Sequence, residues 1–129
     1  MRYKYVEERG RFLPIIPIRL EGKNGWVTFS GYVDSGATYS IFRAEIAEIL
    51  SIDIEKGEKQ YVVVGDGSLI RVYIHRIIIE LAGKIFEASI GFSRQLGIGV
   101  NIIGRKDIFD RFIICFNERD KHMEFSENI

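Results

Sequence analysis

The sequence predicts a mainly β protein, folded as a small closed or partly closed barrel with one or two short helices. Three features carry that reading. Glycine punctuates the chain, with 13 residues against only two prolines. Between the glycines lie strand-length apolar runs, several of them ending in Asn-Gly, Asp-Gly or Ala-Gly-Lys turns. A helical period of apolar residues marks one segment, Phe42 to Leu50.

Taken in order, Tyr3 to Val6 is β-rich, and Pro14 and Pro17 place Arg11 to Glu21 on an edge or bulged strand. Glu21 to Gly25 is a hairpin turn with Asn24-Gly25 as its signal, and Trp26 to Val33 is the returning strand, which arrives at Asp34. Phe42 to Leu50 is the first helix, with Phe42, Ile46, Ile49 and Leu50 on one face. Tyr61 to Val64 and Leu69 to Leu81 flank a hairpin tip at Gly65-Asp66-Gly67-Ser68. A second turn at Ala82-Gly83-Lys84 leads to a strand from Ile85 to Phe92, and Val100 to Ile103 is a short strand ending at Gly104. Arg105 to Arg111 reads as one or two helical turns, with Asp107 in the first turn where a carboxylate suits the helix dipole. Phe112 to Phe116 and His122 to Phe125 close the chain around a charged turn.

At 129 residues the expectation is one domain spanning 1–129, large enough for a core without disulfides. Lysine plus arginine balance aspartate plus glutamate at 18 each, so no global field draws the chain to nucleic acid or to an anionic membrane. The charged start, Met1 to Tyr5, lacks the apolar segment of a signal peptide, and no apolar run is long enough to span a bilayer. A cytoplasmic protein is expected. Cys115, alone in an apolar run, reads as a small buried hydrophobe. His75 and His122 have no Cys/His cluster around them, so no metal site is expected. Gly97 to Ile102 superficially suggests a dinucleotide fingerprint but lacks the third glycine and a long following helix. No cofactor is expected.

The chemistry concentrates at Tyr32-Val33-Asp34-Ser35-Gly36-Ala37-Thr38-Tyr39-Ser40-Ile41. In isolation, Asp-Ser-Gly is ordinary turn chemistry. Here Asp34 is bracketed by Tyr32-Val33 and Ala37, with Ile41-Phe42 shortly after. A carboxylate at the end of a buried strand costs free energy unless hydrogen bonds hold it. Gly36 lets the backbone come close enough to donate them.

These residues resemble the single-domain retropepsin-like aspartic peptidases, which include retroviral proteases and their cellular relatives. The resemblance rests on Val33-Asp34-Ser35-Gly36-Ala37 with Ser40-Ile41 behind it, and on Asn101-Ile102-Ile103-Gly104-Arg105 downstream. It runs from about residue 11 to about 125, nearly the whole chain. It implies a homodimer acting on peptides, with Asp34 as the catalytic carboxylate, one from each subunit. It further implies that Ser35 bonds the partner's loop and that Gly36 holds the turn near substrate. Ala37, Val64, Gly65, Asp66 and Gly67 would bind substrate, the last four in a flap. Ile102, Ile103, Gly104 and Arg105 would form the second structural motif, beside the catalytic loop. The chain departs from the pattern at Thr38, where retroviral enzymes often carry an acid that pairs with the arginine after the second glycine. The alternative reading is a module that keeps the fold, dimerises or binds peptides, and does not cleave at useful rates.

Overall fold

A computed structural model describes residues 1–97 and 99–129; Ile98, inside the glycine-rich run discussed above, lies outside them. The first strands are β1 (Arg2–Lys4), β2 (Val6–Glu8), β3 (Arg11–Leu13), β4 (Ile15–Gly22) and β5 (Gly25–Val33). They are followed by β6 (Ser40–Arg43), the helix α1 (Ala44–Ile49) and a 3-10 turn at Ile54–Lys56. The chain continues through β7 (Glu58–Val63), β8 (Leu69–Leu81), β9 (Lys84–Ser93) and β10 (Asn101–Ile103), and ends with β11 (Phe112–Asn117) and β12 (His122–Glu127).

Seven strands form one sheet in the order β4-β5-β10-β6-β9-β8-β7, and a further pairing of β4 with β8 closes it on itself. That closure makes the expected barrel. Alternation fills its interior: Ile16, Ile18 and Leu20 of β4 are buried, as are Ile77, Ile79 and Leu81 of β8. Phe42, fully buried, packs edge-to-face with Phe29 and at a tilt against Phe92, burial that contributes roughly 1.5–3 kcal/mol. A three-stranded sheet, β1-β12-β11, carries both chain ends, and β2 and β3 form a hairpin of their own. Among the described residues no helix is long and apolar enough to cross a membrane.

Several expectations need correction. The proline-bearing stretch splits at Pro14 into β3 and β4, and Pro17 sits where β4 pairs with β5 but not with β8. The helix begins at Ala44, because Phe42 and Arg43 extend β6 in parallel register with β9. Ile49 is not on its apolar face: Ile46 and Leu50 are buried while Ile49 is 55% exposed. Arg105 to Arg111 forms successive turns rather than a helix, and Asp107 takes a left-handed φ of 64°. Its carboxylate does not serve a helix dipole. It accepts the Ser89 N–H at 2.9 Å and pairs with Arg76 at 2.7 Å, tying these turns to β8 and β9. Cys115 is exposed rather than buried, because β11 is an edge strand whose core-facing positions are Phe112 and Ile114.

Candidate functional site

Strand β5 ends at Val33 and delivers Asp34 into a tight turn. The Gly36 N–H donates to Asp34 Oδ1 at 2.8 Å, the Ala37 N–H donates to the Asp34 carbonyl at 3.2 Å, and the Asp34 N–H donates to the Ile103 carbonyl at 2.9 Å. The carboxylate is thus held by its own loop. Gly36 is not among the residues with positive φ, so its role here is not an unusual dihedral. A Cβ at that position would stand 3.2 Å from Asp34 Oδ1, so glycine serves the close approach.

The downstream motif braces this turn. Strand β10 runs parallel to β5, pairing Asn101 with Gly31 and Ile103 with Val33, and antiparallel to β6, pairing Ile102 with Ile41. Buried Asn101 crosslinks its neighbours: its Nδ2 donates to the Ser30 carbonyl at 3.0 Å, and its Oδ1 accepts the Arg43 N–H at 3.1 Å. Fully buried Ser40 accepts the Gly104 N–H on Oγ at 3.0 Å. The backbone N–H groups of Arg105 and Lys106 donate to the Ala37 and Thr38 carbonyls at 2.9 and 2.8 Å. Gly104 passes so close that a Cβ would overlap the Tyr39 carbonyl. The Arg105 guanidinium completes the brace, donating to the Ser35 carbonyl at 3.1 Å and to Thr38 Oγ1 at 3.4 Å. A hydroxyl therefore receives the arginine at the position where the resemblance leads one to expect an acid.

Asp34 stands at the edge of an open cleft of about 620 Å³ between this loop and the β7–β8 hairpin. The hairpin's inward residues Val62, Val64, Ile70 and Val72 gather with Ile41 and Tyr39 into a small apolar cluster. Of the residues singled out in the sequence, Asp34, Gly36, Ala37, Val64, Gly65 and Ile102 border the cleft. Ser35 lies in a neighbouring groove, Ile103 is fully buried behind the loop, and Gly104 and Arg105 act from the far side of the turn. Asp66 and Gly67 do not border the cleft; Asp66 accepts from the Ser68 hydroxyl and N–H, which hold its carboxyl below the ordinary range. Sequence reasoning missed Tyr39 and Tyr61 as lining residues, and Asn101 and Ser40 as braces. Tyr39 and Ser40 lie within the motif itself, but a polar residue in an apolar run gives no sign of which distant N–H it will accept.

No family model and no curated protein sequence matches the chain. Solved structures do. One is a retropepsin-like aspartic protease from Rickettsia conorii, with a TM-score of 0.68 and 17% identity, covering 95% of this chain and 97% of that one. Another is EIAV protease complexed with an inhibitor, with a TM-score of 0.57 and 20% identity, covering 81% of this chain and 91% of that one. At such identities the likeness concerns the fold, and the chain has the retropepsin-like fold.

Proposed function

We propose that residues 1–129 form one domain that works as an aspartic endopeptidase, using two copies of Asp34, one from each subunit of a homodimer. The observation that carries this reading is the setting of Asp34. Its carboxylate stands at the edge of an open cleft of about 620 Å³, held by a backbone donor in a loop braced by the downstream motif. The likeness to two aspartic proteases supports it.

In such a dimer two like charges at close range cannot both ionise, so the pair shares a proton, as the dyads of known aspartic proteases do. The ionised Asp34 takes a proton from a water as it attacks the scissile carbonyl, and the protonated Asp34 donates to the developing oxyanion. The roles reverse to expel the amine. The β7–β8 hairpin serves as the flap: β7 is an edge strand of the sheet, with backbone free to pair with an extended peptide, and Val64 and Gly65 close over it. Incubation with a denatured protein at mildly acid pH tests the proposal. Discrete cleavage by the wild type and none by Asp34→Asn is expected. Intact substrate with a folded, dimeric wild type would leave the non-cleaving module as the better reading.

A further inference from the structure

A second groove, of about 370 Å³, shares Asp34 with the cleft and runs past Ser35 to the β2–β3 hairpin and the end of β11. Its walls combine the aromatic rings of Phe12 and Phe116 with two opposite charges, Arg11 and Glu118. Three features of it are unfinished in the isolated chain. Tyr5 is only 7% exposed, and its hydroxyl makes no well-formed hydrogen bond, with the Glu118 carboxylate as its near neighbour. Burial and then the Glu118 carboxylate, as hydrogen-bond acceptor and as charge, push that hydroxyl's pKa up to about 12. Arg11 makes no side-chain hydrogen bond or ion pair among the described residues, while exposed Glu118 pairs weakly with Lys121, at 3.4 Å, and lies beside the Tyr5 hydroxyl. Phe12 and Phe116 are 45% and 41% exposed, on or beside a hairpin of two three-residue strands that pairs with no other sheet. A two-stranded hairpin alone is marginally stable in water.

We infer that the β2–β3 hairpin is a dimerisation arm, and that a second copy of this chain fills the groove around Phe12, Phe116, Arg11 and Glu118. The inference rests on the reading that two Asp34 residues meet, since that places the loop, and the groove that shares Asp34 and Ser35 with it, at the twofold axis. In a contact of that symmetry, residue i of one subunit meets j of the other and j meets i. Apart from Asp34, which meets its own twin, the groove carries one positive and one negative side chain and is then complementary to itself: each Arg11 can face the partner subunit's Glu118.

Sedimentation over a dilution series, with cleavage assayed in parallel, tests this by charge exchange. Arg11→Glu alone should raise the dimer dissociation constant at least about tenfold, and Arg11→Glu with Glu118→Arg should restore it. Phe12→Ser with Phe116→Ser should weaken the dimer similarly; both positions are exposed, and melting by circular dichroism checks the fold. The unmodified chain gives an independent reading, because amide exchange over residues 6–13 should slow as dimer forms. Variants that dimerise and cleave like the wild type, with exchange at 6–13 independent of concentration, would overturn the arm and leave the dyad reading standing. Unchanged dimerisation with a raised KM for long but not short peptides would overturn it in favour of a substrate subsite. A wild type that cleaves as a monomer at every concentration would instead remove the dyad reading, and the arm with it.

Discussion

The guanidinium of Arg105 reaches back 70 positions to donate to the carbonyl oxygen of Ser35, the residue that follows Asp34. The same side chain touches Thr38 Oγ1, so one arginine holds two points of a single turn. An arginine presents its donors in a rigid planar fork, which lysine lacks. Arg105→Ala should therefore loosen the loop, lowering kcat more than it raises KM while the melting temperature moves little, since the bonds are exposed. Arg105→Lys should recover only part of the loss. Full activity in Arg105→Ala would show that the backbone bonds from Arg105 and Lys106 hold the turn unaided.

Gly104 is constrained by space. A Cβ there would overlap the Tyr39 carbonyl and stand 3.0 Å from the Ala37 carbonyl, which the Arg105 N–H holds in place. Gly104→Ala should cost about 1–3 kcal/mol or more in a urea melt, as overpacked sites do. Gly97→Ala is the control, because no described residue lies within 4 Å of its Cβ position and its φ is not positive. Equal stability of the two variants would mean that the loop yields easily.

Local signals made much of this fold legible. The tight turn beyond Gly22, with Gly25 at φ 111°, and the Ala82-Gly83 turn, with φ values of 49° and 78°, fix two hairpins whose strands alternate as expected. The pairing of β10 beside β5 also follows the two motifs. What escaped reading depends on distant partners. Asp107 looks like a helix-start residue until Ser89 and Arg76, 18 and 31 positions away, capture its carboxylate and leave successive turns. Phe42 fits a helical period but packs as a strand residue beside β9. The β2–β3 hairpin turns on Arg9 and Gly10, at φ values of 50° and 75°, and an arginine gives little warning of a left-handed turn.

Asp107 also sets an acid limit on stability. Burial, the largest influence, would raise its carboxyl pKa, but the Ser89 N–H and hydroxyl and the Arg76 guanidinium together outweigh it and hold the value below the ordinary range. The native pKa thus lies under the unfolded value of about 3.9. The contribution is complete above that unfolded value and is lost as pH falls through the native one. Asn tolerates the left-handed φ, so Asp107→Asn removes the charge with little strain. Wild type should melt higher than Asp107→Asn near neutrality, and the gap should close in acid. A gap that stays constant down to the lowest accessible pH would exclude this linkage.

The sharpest expectation concerns stoichiometry. The chain holds one Asp-Ser-Gly, and the other Asp-Gly, at Asp66, is occupied by its own turn rather than facing the cleft. On the proposed reading, each subunit supplies one carboxylate to a site on the twofold axis. Asp34→Asn is nearly isosteric and should abolish cleavage while leaving the fold and the dimer intact. When wild type and Asp34→Asn subunits are mixed and allowed to exchange at random, only pairs of two wild-type chains keep both carboxylates. An equal mixture should retain about a quarter of the activity of the same total concentration of wild type, and activity should follow the square of the wild-type fraction. Activity per chain should also fall on dilution through the dissociation constant. Labelled subunits that demonstrably exchange, combined with activity strictly linear in wild-type fraction, would mean that each chain carries a complete site and that Asp34 does not work as a shared pair.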